Sequence, residues 1–131
     1  MGEVVDVSDY VSIHQVYARY GYVMDDKDWP ALRDVFTNDC VFDATALGVP
    51  LATGFDEVRA ISESGKEPLA HHVTNVFVES VVGDVALVRA KALGTYTKGR
   101  AFSGEYRDTL ARTPDGWRIR VRTLRTPGAI E

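Results

Sequence analysis

The stretch 71–82, His71-His72-Val73-Thr74-Asn75-Val76-Phe77-Val78-Glu79-Ser80-Val81-Val82, constrains the fold more than any other part of the chain. It is rich in β-branched and aromatic residues, which fit a pleated strand and crowd a helix. Strand alternation sends the two opening histidines to opposite faces, so one imidazole meets the interior and the other meets solvent or a partner. Three helix-like segments precede this strand and three strand-like runs follow it. That order predicts a sheet curled around a pocket, with one imidazole inside.

The first helix is expected to start after a loose arm at residues 1–7, with Ser8 or Asp9 as its cap, and to run to about Asp26. Ile13, Val16, Tyr17, Tyr20 and Met24 recur at spacings of three and four and form one apolar stripe. His14, Gly21 and Asp25 lie on the flank of that stripe, at the border between core and solvent. Asp25 stands one turn after a residue with no side chain, where a carboxylate can look into a cavity. Asp28 is the expected cap of a second helix with Trp29-Pro30 in its first turn and Leu32, Val35 and Phe36 on its apolar side. Cys40-Val41-Phe42 reads as a short strand, 44–53 as a loop, and Phe55 to Glu63 as a third helix capped by Thr53. Ser64-Gly65-Lys66-Glu67-Pro68 then turns the chain into the central strand.

Gly83-Asp84 marks a hairpin. In the strand that follows, Ala86, Val88, Ala90, Ala92 and Gly94 share one face, small enough for helices to rest closely on it. The run from Ala101 to Thr113 places Gly104, Tyr106, Asp108 and Leu110 on one side and Glu105, Arg107 and Thr109 on the other. After the Pro114-Asp115-Gly116 turn, Trp117, Ile119 and Val121 alternate with Arg118, Arg120 and Arg122. This reads as an apolar face opposite a cationic face that meets solvent or another subunit. Asp108 is expected to pair with one of those arginines. The tail after Thr126 is expected to be mobile. Helices followed by consecutive antiparallel strands make an α+β pattern, with the helices on one face of the sheet.

At 131 residues the chain reads as one domain, 1–131, large enough to bury a core. A net charge of −4 without any basic block argues against nucleic acid or an anionic membrane as a partner. The single cysteine, Cys40, rules out an intrachain disulfide and a cysteine-based zinc site, and is expected to be an inert core thiol. No apolar run reaches membrane-spanning length and the N-terminus has no basic-then-apolar pattern, so a cytoplasmic protein is expected. Adjacent strand residues diverge, so His71 and His72 make a poor chelate and no metal site is expected.

Four stretches in this order resemble the SnoaL-like group of the NTF2-like superfamily, whose members include scytalone dehydratase, bile acid 7α-dehydratase and, more distantly, ketosteroid isomerase. They are Tyr20-Gly21-Tyr22-Val23-Met24-Asp25-Asp26-Lys27-Asp28-Trp29, His71-His72-Val73-Thr74-Asn75, Gly104-Glu105-Tyr106-Arg107-Asp108 and Gly116-Trp117-Arg118-Ile119. The resemblance implies a cone: three N-terminal helices packed on a curved, mainly antiparallel sheet around a deep apolar pocket, in a homodimer or homotrimer. It also implies a tyrosine and an aspartate on the first helix facing a histidine on the sheet, positions matched here by Tyr20, Asp25 and His71. His71 rather than His72 is expected to point inward, because His-x-Val-Thr-Asn is the family form. Met24 stands where scytalone dehydratase has a tyrosine before its aspartate, and Ala44 where it has another. Scytalone itself is therefore not the expected substrate.

Dehydration or isomerisation beside a carbonyl needs a base for a carbon-bound proton, a donor to the enolate-like oxygen and an acid for a departing hydroxyl. An Asp25–His71 dyad with Tyr20 as donor supplies all three without a cofactor. Ketosteroid isomerase is a known case in which an apolar pocket tunes such groups. The expectation is a cofactor-independent lyase or isomerase acting on a hydrophobic polycyclic or aromatic hydroxy-ketone, such as a steroid or polyketide. Met24, Phe42, Asn75, Phe77, Tyr96 and Tyr106 are the expected substrate contacts. The competing readings are a non-catalytic ligand-binding or assembly module, as in the small subunits of ring-hydroxylating dioxygenases, and an epoxide hydrolase. The latter is disfavoured because no arginine is convincingly placed between Asp25 and a second carboxylate. A deep cavity with Asp25 bonded to His71 separates the enzyme from the module.

Overall fold

A computed structural model describes residues 4–65 and 68–126. The expected tail beyond Thr126 and the Lys66-Glu67 part of the turn lie outside these residues. Helix α1 spans Val7–Asp26. Its cap is Asp6 rather than Ser8 or Asp9, and the Asp6 carboxylate accepts a hydrogen bond from the Ser8 amide at 2.8 Å. The helix stops at Lys27, which turns left-handed (φ 55°) and returns its amide to the carbonyls of Met24 and Val23. The predicted stripe is the buried one: Ile13, Val16, Tyr17, Tyr20 and Met24 are each at most 6 % exposed. Burying Ile13, Val16 and Met24 contributes about 1.5–3 kcal/mol apiece.

The expected second α-helix is instead a 3₁₀ turn over Trp29–Asp34. Six residues starting with a proline near the first position cannot offset the cost of nucleating an α-helix. Phe36 is drawn into strand β1, Phe36–Asp43, which starts four residues earlier than expected. The expected loop 44–53 contains a 3₁₀ turn at Thr45–Leu47 and a two-residue strand β2, Ala52–Thr53. Helix α2 spans Phe55–Glu63, as predicted, with Gly54 rather than Thr53 at the cap position. Four long strands follow: β3, Ala70–Val82; β4, Val85–Thr95; β5, Ala101–Thr113; β6, Gly116–Arg125.

The sheet order is β2-β1-β6-β5-β4-β3, with β1 parallel to β6 and every other pair antiparallel. This is the helices-plus-curved-sheet α+β architecture expected, with a mixed edge added by β1. Helix α1 packs chiefly on β3, and α2 on β1. The inward row of β4 is small, as predicted: Ala86, Ala90 and Ala92 are buried and Gly94 faces β3.

Three register shifts, two in β3 and one in β6, change which residues face inward; the second in β3, between Val78 and Ser80, returns Val81 to the core side. In β3 the register shifts between Thr74 and Phe77, and Asn75 adopts a left-handed conformation (φ 54°). This bulge reverses the parity after His71 and Val73, so Val76 and Val78 pack inward. Asn75 is exposed and Phe77 is 59 % exposed, outside the cavity. Their expected role as substrate contacts is thereby corrected. In β6 the register shifts between the pairs Thr109–Val121 and Leu110–Ile119, leaving Arg120 as the extra residue. Trp117 and Ile119 face inward before the shift, and Arg122 faces inward after it. The uniform cationic face expected of the three arginines does not form; Arg122 is wholly buried.

Candidate active site

A cavity of about 310 Å³ opens between α1, α2 and the concave side of the sheet, within the size range of small-molecule sites. Tyr20 and Met24 enter it from α1, and Phe42 from β1. Tyr96 follows β4 and Tyr106 comes from β5. Val58 and Ile61 of α2 close another side. Gly94 lies directly across from His71 in the β3–β4 pairing, and the space a side chain there would fill is taken by Pro68, which lines the cavity with it. His72, expected to face away, is exposed but stands at the cavity mouth.

Asp25 and His71 meet. The ring Nδ1 of His71 is 2.7 Å from Asp25 Oδ1, and the backbone amide of His71 donates to both carboxylate oxygens at 2.9 and 3.1 Å. Strand β3 lies at the edge of the sheet, so the helix supplies the acceptor that a neighbouring strand would otherwise supply. One carboxylate thus fixes both the main chain and the ring. A carboxylate can only accept, which places the Nδ1 proton between the pair and leaves Nε2 as the basic nitrogen of the neutral ring. The imidazole side chain is 9 % exposed and the carboxylate 27 %.

Gly21 lies where α1 and β3 approach closely. A Cβ built there would lie 3.2 Å from the carbonyl oxygen of His71, a tight contact that α1 or β3 would have to relieve by a few tenths of an ångström. Tyr20, 6 % exposed, stands edge-on to three rings, with centroids 6.0 Å away in His71, Phe36 and Tyr106 alike. Imidazole and phenol therefore share one wall of a largely apolar cavity, and the Asp25 carboxylate, which does not itself line the cavity, backs the imidazole. Such a wall can move a proton and stabilise a developing oxyanion.

The family model of the SnoaL-like domain matches residues 5–123. The chain belongs to the SnoaL-like family. An uncharacterised protein of Mycobacterium tuberculosis, Rv2910c, is 30 % identical over 96 % of this chain and 90 % of its own. Among solved structures, one from Novosphingobium aromaticivorans provisionally named an aromatic ring hydroxylase superposes with a TM-score of 0.81 at 28 % identity, over 96 % of this chain and 94 % of its own. Another from the same organism, provisionally named a scytalone dehydratase, superposes at 0.78 and 28 % identity, over 93 % and 86 %. Neighbours of this SnoaL-like domain include proteins described as NTF2-like, which accords with the cone of helices and curved sheet.

Beneath the cavity the SnoaL-like domain holds a charged cluster. Asp108 and Arg122 form a two-bond pair, Nε to Oδ1 at 3.1 Å and Nη2 to Oδ2 at 2.8 Å, with both side chains at 0 % exposure. The Tyr17 hydroxyl donates to the same carboxylate at 2.6 Å. Burial, then the Asp108 charge, pushes the Tyr17 phenol well above its ordinary range. For Arg122, burial acts to lower the pKa, but Asp108 and the phenols of Tyr106 and Tyr20 outweigh it and the guanidinium is held charged. Asp108 takes the ion-pair role expected of it and does not line the cavity. The pairing with the innermost arginine was hidden because strict alternation counts Arg122 as outward.

On the outer face, Glu105 sits under Arg89, Lys91, Arg107 and Arg125, each within 2.9–3.8 Å. Hydrogen bonds from Arg107 and Arg125 lead the effects that lower its pKa to about 2. Cys40 is buried, and burial pushes its thiol up to about 11, the behaviour of an inert core residue. No helix among the described residues is long and apolar enough to cross a membrane.

Proposed function

We propose that this SnoaL-like protein is a cofactor-independent lyase or isomerase of the dehydratase type, acting on a hydrophobic polycyclic or aromatic hydroxy-ketone such as a steroid or polyketide. The observation that carries the reading is the 2.7 Å contact between Asp25 and Nδ1 of His71, the imidazole that lines the cavity beside Tyr20. His71 Nε2 takes the proton from the carbon next to the carbonyl, and Asp25 stabilises the imidazolium that forms. Tyr20 donates to the enolate oxygen. The imidazolium then returns its proton to the departing hydroxyl, which leaves as water while the carbon–carbon double bond forms. In isomerisation the same proton returns to a different carbon. Met24, Phe42, Tyr96 and Tyr106 supply apolar contact to the rings of the substrate.

The test is a mass-spectrometric screen of hydroxysteroids and aromatic β-hydroxyketones for loss of one water or for an isomeric product. Wild type is compared with D25N, H71A and Y20F. Turnover that falls at least about a hundredfold in D25N and H71A, with melting temperatures retained, is the expected result. Full activity in both variants would eliminate the mechanism.

A further inference from the structure

Arg122 is unusual for a fully buried charge. Its guanidinium carbon lies 3.6 Å from the ring centroid of Tyr106 and 4.5 Å from that of Tyr20, with Tyr17 at 5.7 Å and Phe36 at 5.9 Å. Its Nη1 is buried and makes no hydrogen bond. An ion pair removed this far from water contributes little net stability, because dehydration offsets attraction; two apolar side chains could fill the same space. Its distinguishing property is polarity. The carboxylate end is turned to Tyr17, whose hydroxyl it binds, and the guanidinium end is turned to Tyr20 and Tyr106, both of which line the cavity.

We propose that the Asp108–Arg122 pair is an oriented dipole and Arg122 a positioning residue, which holds the Tyr20 and Tyr106 rings in place and makes Tyr20 a stronger hydrogen-bond donor into the cavity. The proposal rests on the reading of Tyr20 as the oxyanion donor. Positive charge on a ring face holds the ring in place through its quadrupole and favours negative charge on the attached oxygen. Among the described residues, the titratable rings packed beside Tyr20 are His71 on β3 and Tyr106 on β5, with Tyr17 one turn back on its own helix and the Asp25 carboxylate on the His71 ring. Arg122 is a permanent cation buried behind the Tyr20 and Tyr106 rings, whereas His71 gains its charge during the reaction.

The test needs no substrate. The protein is produced with ring-difluorinated tyrosine, whose phenol ionises nearer neutrality, and each phenol is followed by fluorine NMR, with Y20F and Y106F assigning the signals. Replacing both charges in D108N/R122M should raise the ionisation of Tyr20 and Tyr106 by about one to three pH units. R122K, which keeps the charge, should stay near wild type, and the exposed Tyr22 should not move in any variant. R122Q, which keeps a donor for Asp108, is the second variant should the double one fail to fold, and carries the same expectation. Unchanged Tyr20 and Tyr106 titrations in a folded variant would overturn the proposal. Loss of folding in both would also overturn it, by assigning the pair to the fold alone. Retained turnover in D25N and H71A would sink the catalytic reading without altering these titrations, so the two failures are distinguishable.

Discussion

Asp108→Ala probes the charged centre beneath the cavity. It removes the acceptor of four bonds, from Tyr17 at 2.6 Å and from Arg122 at 2.8, 3.1 and 3.3 Å, at a side chain with no solvent exposure. Nη1 has no hydrogen-bond partner to begin with, so the variant leaves the guanidinium without an acceptor for any of these nitrogens. Breaking a buried pair from one side costs about 3–5 kcal/mol, and the orphaned Tyr17 hydroxyl adds about 1 kcal/mol. The expected net loss is about 4–6 kcal/mol, a large part of a domain's typical 5–15 kcal/mol. D108L/R122M, which removes both charges and keeps volume, should lie within about 2 kcal/mol of wild type. Urea unfolding followed by the fluorescence of Trp29 and Trp117, with equal slopes in all variants, measures each value. A loss below about 1 kcal/mol in D108A is the signature of an exposed pair. It would refute the claim that this cluster is sealed from water.

Two further outcomes follow from the same geometry. Glu105 titrates at about 2 in the folded protein against an ordinary 4.5, so its contribution is complete above pH 4.5 and is lost as the pH falls toward 2. With three of its guanidinium partners 40–49 % exposed, that contribution is about 1–2 kcal/mol, and E105Q should flatten the acid limb of a stability–pH curve while lowering the neutral plateau; parallel curves would contradict it. Gly21→Val should cost about 1–3 kcal/mol by forcing α1 away from the His71 carbonyl. It should also weaken the Asp25–His71 bond, read as a loss of the downfield Nδ1 proton in NMR. A retained downfield signal would mean that the close approach at Gly21 does not hold the dyad together.

The parts of this protein legible in its sequence are those set by local periodicity. The α1 stripe, the α2 boundaries, the alanine row of β4 and the Gly104-Tyr106-Asp108-Leu110 face of β5 follow from spacing alone, because burial repeats at 3.6 or 2 residues without interruption there. Asp25 and His71 were legible as a pair only because Gly21 and the flank of a helix pointed to a cavity, and a family resemblance supplied the partner. The mixed edge was not legible. Strands β1 and β2 are short, and the parallel pairing of β1 with β6 brings together residues about eighty apart in the chain.

The errors that bear on the site share one cause. A single inserted residue reverses inside and outside until the strand ends or a second insertion restores them. In β3 the reversal at Asn75 takes Phe77 out of the cavity, and in β6 the reversal at Arg120 takes Arg122 into the core. The first left a trace in the sequence: asparagine tolerates the left-handed conformation, and it interrupts an otherwise β-branched run. The second left none, since Arg118, Arg120 and Arg122 continue the alternation as if nothing intervened. Yet that unmarked bulge delivers the guanidinium to Tyr20 and Tyr106. A strand of perfect alternation would have placed Val121 and Thr123 in its row and left Asp108 buried without a cation. The irregularity in β6 is thus what makes the charged centre possible. Deleting Arg120 should therefore leave the protein folded with Arg122 still inward, because Ile119, Val121 and Arg122 would then alternate regularly opposite Leu110, Thr109 and Asp108; loss of the cooperative urea transition in that variant would contradict this account of the bulge.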